Sequence, residues 1–267
     1  MNSQPPARAR VRIIPRLDIK GPNIVKGVHL EGLRVVGDPA EHARRYYEEG
    51  ADELLYMDIV ASLYGRNNLL DIVERAAADI FIPLTVGGGV RKLDDVYKLL
   101  RAGADKVAVN TAAIANPEFI REAARSFGSQ CIVVSIEAKL QAPGRWEALT
   151  DNGREKTGVD AYDWARRAAD LGAGEILVTS VDREGTLKGF DLDLTAKLAT
   201  AVSIPVIACG GAGGAAHVLA AVTEGRADAV SVASILHFKK CGLRELKETL
   251  LASGVSVRRP PEAAPLA

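Results

Sequence analysis

The sequence has no surplus of charge of either sign: 34 Lys and Arg stand against 34 Asp and Glu. That balance, with a pI near 6.9, speaks against a nucleic-acid footprint, which needs a basic face or a high pI. No apolar run is long enough to cross a bilayer, so no membrane association is expected. The opening MNSQPPARAR lacks the apolar segment of a signal peptide. Cysteine is scarce. Cys131, Cys209 and Cys241 are widely spaced without a CxxC pair, and read as reduced thiols of a cytoplasmic protein. Four histidines (His29, His42, His217, His237) show no HxH or HExxH spacing, so neither a metal site nor an organic cofactor is expected. The rest is globular: 48% apolar and 25% charged over 267 residues, a length that suits one α/β barrel of about 250 residues.

Two stretches repeat one another. IPLTVGGGVRKLDDVYKLLRAGADKVAVNTAA (from Ile82) matches IPVIACGGAGGAAHVLAAVTEGRADAVSVASI (from Ile204), with Arg226 as one extra residue. Gly88-Gly89 then faces Gly210-Gly211, Asp105 faces Asp228, and Asn110-Thr111 faces Ala233-Ser234. ADELLYMDI (from Ala51) likewise parallels AGEILVTSV (from Ala173), and RIIPRLDIK (from Arg12) parallels CIVVSIEAK (from Cys131). A duplicated half of about 120 residues predicts a pseudo-two-fold molecule with paired anion sites.

Apolar, β-branched runs alternate with helical patterns throughout. Strands are expected near 12–17, 54–59, 82–86, 106–110, 131–136, 175–180, 205–209 and 228–232, each followed by a helix. Eight such units favour a closed TIM (β/α)8 barrel over an open sheet, built here from two half-barrels. The expected organisation is an arm over 1–10, a barrel domain over 11–258 and a tail over 259–267. Two connections, from Ile19 to Asp38 and from Ala138 to about Val159, are too long to be turns and are expected to cover substrate.

Asp18 and Glu137 each end an apolar strand at equivalent places in the two halves. Carboxylates there are costly to bury unless paired or used, and two of them can divide acid and base roles. The Gly88-Gly89 and Gly210-Gly211 turns, with Asn110-Thr111 and Ala233-Ser234, are candidate phosphate cradles. Lys26 in the first long loop is placed to reach a phosphate, and Asp58, Ser180 and Asp182 are expected at the mouth. Cys209, which follows strand seven, reads as a site-lining residue. Arg12, Glu53, Lys106 and Glu175 fall at strand starts, where four alternating charges read by themselves as an ion-paired plug of the barrel bottom.

RLDIKGPNIVKG, GADELLYMDIVAS, IPLTVGGGV, GADKVAVNTAAI, FGSQCIVVSIEAK, GAGEILVTSVDREGT and IPVIACGGAG together resemble the cyclase subunit of imidazole glycerol phosphate synthase over about residues 11 to 258. The resemblance implies a barrel that cyclises a bisphosphorylated formimino carboxamide nucleotide (PRFAR) to imidazole glycerol phosphate, releasing AICAR. Its ammonia would come from a separate glutaminase subunit, in a heterodimer. It implies catalytic roles for Asp18 and Glu137, and substrate or phosphate contacts for Lys26, Asp58, Gly88, Gly89, Asn110, Thr111, Asp182, Glu184, Gly185, Cys209, Gly210, Gly211, Ala233 and Ser234. It turns the Arg12, Glu53, Lys106, Glu175 plug into an ammonia gate, and puts Asp105 and Gln130 at the partner interface.

Three residues depart from the family pattern: Glu137 and Glu184 stand where Asp is expected, and Cys209 where Ser is usual. The GPNIVKGVHLEGLRVVGDP loop and SLYGRNNLL differ too. This pattern resembles the paralogous branch linked to acetamidino groups on bacterial surface-polysaccharide sugars, where the acceptor would be nucleotide-sugar-related and a third, amidinating protein would take the ammonia. Three alternatives accompany that reading: the ordinary histidine-pathway cyclase, a non-catalytic ammonia conduit, and the phosphoribosyl isomerase barrel of the same pathway.

Overall fold

The computed structural model describes residues 10–59 and 69–261. Residues 1–9 of the expected arm, 262–267 of the expected tail and most of SLYGRNNLL lie outside them. Twelve strands occur among the described residues: β1 (Arg12–Lys20), β2 (Asn23–Val28), β3 (Glu31–Gly37), β4 (Leu54–Asp58), β5 (Leu84–Gly87), β6 (Lys106–Val109), β7 (Ile132–Ala142), β8 (Arg145–Thr150), β9 (Glu155–Asp160), β10 (Glu175–Ser180), β11 (Val206–Cys209) and β12 (Ala229–Val232). Eight of them form one parallel ring in the order β1-β4-β5-β6-β7-β10-β11-β12. The ring closes where β12 pairs with β1, Ser231 opposite Ile14. At its far side β7 pairs with β10, Glu137 opposite Thr179. The expected (β/α)8 barrel of two halves is what the chain forms.

The strands read as near-continuous apolar runs because both faces are buried. Outward-facing residues such as Ile13, Leu17, Val134 and Ile176 meet the helices in one large core. Glu118–Phe127 packs that wall through Phe119, Ile120 and Ala123, one stripe of an amphipathic helix. Inward-facing residues form a second, separate cluster that includes Ile14, Leu55, Val133, Leu177, Ile207 and Ala229. It is an apolar collar halfway up the lumen. No helix among the described residues is long and apolar enough to cross a membrane.

The two long connections, which the sequence predicts only as covering loops, are hairpins. β2 and β3 extend from β1, with Ile19 opposite Ile24. β8 and β9 extend from β7 in the same way. The repeat is visible in detail at the lower rim. Asp105 Oδ2 accepts from the Leu84 N–H at 2.8 Å, and Asp228 Oδ2 accepts from the Val206 N–H at 2.9 Å. Each carboxylate satisfies the first donor of the preceding strand, which gives Asp105 a structural task whatever its part in partner binding.

Candidate active site

Both acids stand at the upper mouth, on strands that face each other across the ring: β7 lies four strands from β1 in either direction. Asp18 is 2% exposed, and two cations hold it. Arg16 Nε donates to Oδ1 at 2.7 Å and Lys26 Nζ to Oδ2 at 3.1 Å. Burial by itself would raise its pKa, but Arg16 and then Lys26 outweigh burial and hold the carboxyl well below the usual carboxylate range. Lys26 also donates to Glu184, so one ammonium bridges two acids and stays protonated despite its burial.

Glu137 is buried and differently placed. Its Oε2 accepts from the Asn110 side-chain amide, whose Nδ2 also donates to the Leu149 carbonyl at 3.0 Å. Burial pushes its pKa up to about 7, against the lowering effects of Arg16 and the Asn110 hydrogen bond. One acid is therefore fixed as an anion and the other titrates near neutrality. Such a split is what assigns acid and base roles to paired carboxyls.

The Gly-rich turns match in conformation. Gly88 and Gly89 have φ of 100° and 70°, Gly210 and Gly211 of 94° and 103°. A Cβ on Gly88 would sit 2.1 Å from the Asp58 carbonyl oxygen, and one on Gly210 2.9 Å from that of Ser180, the repeat equivalent of Asp58. Gly88→Ala is therefore expected to cost about 1–3 kcal/mol or more, and Gly210→Ala less, a difference that thermal melts would measure. Asn110 and Ala233 precede short helices, Thr111–Ala115 and Ser234–His237, at matching backbone angles.

What covers the two cradles is unequal. In the N-terminal half, Asp58, Gly88, Gly89, Asn110, Thr111, Ser135 and Glu137 line an open cavity of about 380 Å³. In the C-terminal half, Lys26, Glu184, Gly185, Cys209, Gly210, Gly211, Ala233 and Ser234 surround only about 20 Å³. The β2–β3 hairpin causes this. The His29 N–H donates to the Glu184 carbonyl at 2.9 Å, and Gly27 lies so close to Gly185 that a Cβ there would come within 2.5 Å of the Gly27 oxygen.

At the opposite end the strand-start charges form a closed ring. Arg12 contacts Glu53 at 2.7 Å and Glu175 at 3.0 Å, and Lys106 contacts the same acids at 2.9 and 3.2 Å. The Thr85 hydroxyl adds a bond to Glu53. Asp105 and the exposed Gln130 lie on this face, where Asp105, Phe81, Ile80 and Pro83 border a hollow of about 360 Å³.

The Asn110 amide donates to Glu137 and Leu149 while the residue lines the same cavity as Gly88 and Gly89. Asp182 lines neither cavity; its Oδ2 accepts from the Leu140 N–H at 2.8 Å and clasps the end of β7. Thr111 borders the large cavity while its hydroxyl accepts from the Asp151 N–H at 3.2 Å. Cys209 is a buried lining residue whose thiol burial keeps protonated, and its Sγ lies 3.6 Å from Arg16 Nη1. The residue that sequence reasoning missed is Arg16. The period-2 alternation of RIIPRLDIK puts it on the same strand face as Arg12 and Asp18, so the signal was there.

The model of the family described as "Histidine biosynthesis protein" matches residues 12–242. A curated relative from Legionella pneumophila, named "Imidazole glycerol phosphate synthase subunit HisF", is 65% identical over 205 residues, which cover 77% of this chain and 97% of that protein. With a barrel of two halves, opposed acids at its mouth and an ion-paired ring at its base, the chain belongs to the histidine biosynthesis protein family, as an enzyme of the imidazole glycerol phosphate synthase cyclase type.

Proposed function

We propose that this chain is the ammonia-using cyclase subunit of a glutamine-dependent amidotransferase, converting PRFAR and ammonia to imidazole glycerol phosphate and AICAR. The carrying observation is the pair of opposed acids with divergent proton affinities. Glu137, half protonated near pH 7, gives a proton to the departing amino nitrogen of AICAR as its bond to the formimino carbon breaks, and the ring closes on the ribulosyl carbonyl with loss of water. Asp18, held ionised, orients the incoming nitrogen and stabilises the cation that forms on it. One phosphate rests in the Gly88-Gly89 cradle. The other enters the Gly210-Gly211 cradle when Lys26 turns to it from both Glu184 and Asp18, which leaves Asp18 one cation fewer and lets it take up the proton that the attached nitrogen sheds. A separate glutaminase seats on the lower face, and its ammonia enters through the Arg12, Glu53, Lys106, Glu175 ring. Asp105 and Gln130 belong to that seat. Purified chain supplied with PRFAR and ammonium chloride is expected to release AICAR; intact PRFAR after prolonged incubation would overturn the proposal.

Phe81 is 80% exposed beside Asp105 and the lower hollow. Aromatic anchors next to pockets dominate many interfaces. Phe81→Ser is therefore expected to weaken glutaminase binding by about 2 kcal/mol, read by calorimetric titration, with ammonium-driven turnover as a check on folding.

A second reading keeps the ammonia chemistry and changes the acceptor to a sugar of the acetamidino branch, with a third protein as amidinating partner. The filled C-terminal cradle and Glu137, one methylene longer than the family's Asp, favour it, because displacement by about 1 Å can cost roughly 100-fold. Rescue of a histidine-requiring host lacking its cyclase separates the two: growth supports the first reading, and failure with soluble protein present supports the second.

A further inference from the structure

One row of the strand ladder carries three residues of the site. Glu137 on β7 pairs with Thr179 on β10, and Thr179 pairs with Cys209 on β11. The guanidinium of Arg16 comes to that row from across the barrel. Its strand, β1, is three places from β10 around the ring, yet Nη1 donates to Thr179 Oγ1 at 3.1 Å and lies 3.6 Å from Cys209 Sγ. On the near side, Nε donates to Asp18 Oδ1 at 2.7 Å. Strand alternation puts Arg16 and Asp18 on one face of β1, so the side chain meets the carboxylate on its way over. One buried side chain thus reaches from the first acid to the row of the second.

The two cations on Asp18 are not equivalent. Lys26 sits on a hairpin and is shared between Asp18 Oδ2 and Glu184. Arg16 rises from the barrel wall, and its head is held by both Nε and Nη1. When Lys26 turns to a phosphate, Oδ2 is released and Oδ1 stays engaged. A guanidinium donates through a rigid planar fork and keeps its charge, so it fixes the orientation of the carboxylate as well as its ionisation. The same charge bears on Glu137, where Arg16 is the largest of the influences that oppose burial. A nearby cation favours the carboxylate form, so Glu137 releases its proton more readily than burial alone would allow. The other ionisable groups around this network are Lys26 on β2, Glu184 beyond β10, Cys209 on β11 and His237 beyond β12.

We propose that Arg16 is a positioning residue for both acids: it keeps Asp18 Oδ1, leaves Oδ2 as the oxygen that takes the proton from the attached nitrogen, and carries a fixed positive charge to the row of Glu137. The inference rests on the cyclase reading above, in which Asp18 accepts a proton and Glu137 gives one. One proton enters on Oδ2 and one leaves from Glu137, so the charge of the pair is the same before and after the exchange.

The test follows both carboxyls by NMR in full-length chain labelled with ¹³C at the side-chain carboxyls of Asp and Glu, the signals being assigned by their loss in Asp18→Asn and Glu137→Gln. In Arg16→Gln the Glu137 midpoint should rise from about 7 by about one pH unit or more, and Asp18 should titrate at higher pH than in the parent. Both limbs of the pH profile of ammonium-driven PRFAR turnover should move upward with them. At the same time kcat should fall about 100-fold, the effect of a misplaced reacting group, with KM for PRFAR little changed. Arg16→Lys keeps the charge without the fork, and should hold the midpoints close to the parent's while still losing most of kcat. A residue that merely braces the wall would lower the melting temperature and leave both midpoints in place; that result overturns the proposal, as does a parent-like kcat in Arg16→Gln. Should Arg16→Gln not fold, Thr179→Val decides: it keeps every charge and frees the far end of the guanidinium, and an unmoved Glu137 midpoint with parent-like kcat would refute the role. If the parent leaves PRFAR intact, the cyclase reading fails, and the titrations by themselves still decide whether Arg16 governs both acids.

Discussion

Asp18→Asn is expected to abolish turnover and to lower folding stability by about 3–5 kcal/mol, the range for removing one partner from a buried ion pair. The stability loss comes from what stays behind. Arg16 and Lys26 are both buried and both bonded to Asp18, at 2.7 and 3.1 Å. Arg16 would then keep only neutral partners, Thr179 and Cys209, while Lys26 would keep Glu184. A neutral amide supplies oxygen to one cation at most and offers its N–H₂ hydrogens to the other. The loss should not vary between pH 5 and 8. Asp18 has a folded-state pKa below its ordinary value of 3.8, so the stability it contributes is present above that value and disappears only as pH falls through the acid range. Urea melts at several pH values measure this, and ammonium-driven PRFAR turnover measures the catalytic loss. A variant that folds, and still supports the pathway, would make the chain a conduit that transforms nothing.

The barrel was legible because its information is periodic. Continuous apolar strands, eight strand–helix units and a repeat that set Gly88 against Gly210 required closure into two halves. The acids were legible for a related reason: a carboxylate ending a buried strand is expensive, and two at repeat-equivalent positions are not accidental. Strand alternation sets Arg16 on the lumen face, but alternation alone does not separate a cation that holds the Asp18 carboxylate from one that pairs elsewhere at the mouth. The hairpins escaped because NIVKGV and EGLRVVG contain glycine and lysine and alternate weakly; their pairing is dictated by the free edge of the extended β1. The helices Thr111–Ala115 and Ser234–His237 are too short to show a 3.6-residue period. The inequality of the two cradles was not readable at all. The Gly turns are chemically alike, and only folding shows that the first hairpin lies over one of them and sets Lys26 and Glu184 inside it.

Glu137→Gln is expected to stabilise the fold at pH 8 while removing most of the activity. The ordinary glutamate value is 4.5 and burial lifts Glu137 to about 7. Between these values the folded chain holds a proton that the unfolded chain has released. The stability this proton confers is therefore fully present below pH 4.5 and is lost as pH rises through 7. The interval corresponds to roughly 3 kcal/mol as an upper bound; glutamine, uncharged at every pH, escapes the loss and can still bond Asn110 with its amide oxygen. Melting temperatures of the two proteins should coincide near pH 4.5, separate across neutrality and stay apart above pH 8. The opposite outcome, a variant less stable at pH 8 than at pH 5 relative to the parent, would mean that Glu137 is ionised in the resting enzyme and cannot be the proton donor. Activity completes the argument. If Glu137 gives up its proton in turnover, kcat of the parent should fall with rising pH through about 7, and the residual rate of Glu137→Gln should lose that limb. Glu137→Asp should keep it, because the shorter carboxyl in the same buried place still titrates, and its rate on PRFAR measures how far one methylene moves the proton from the nitrogen that needs it.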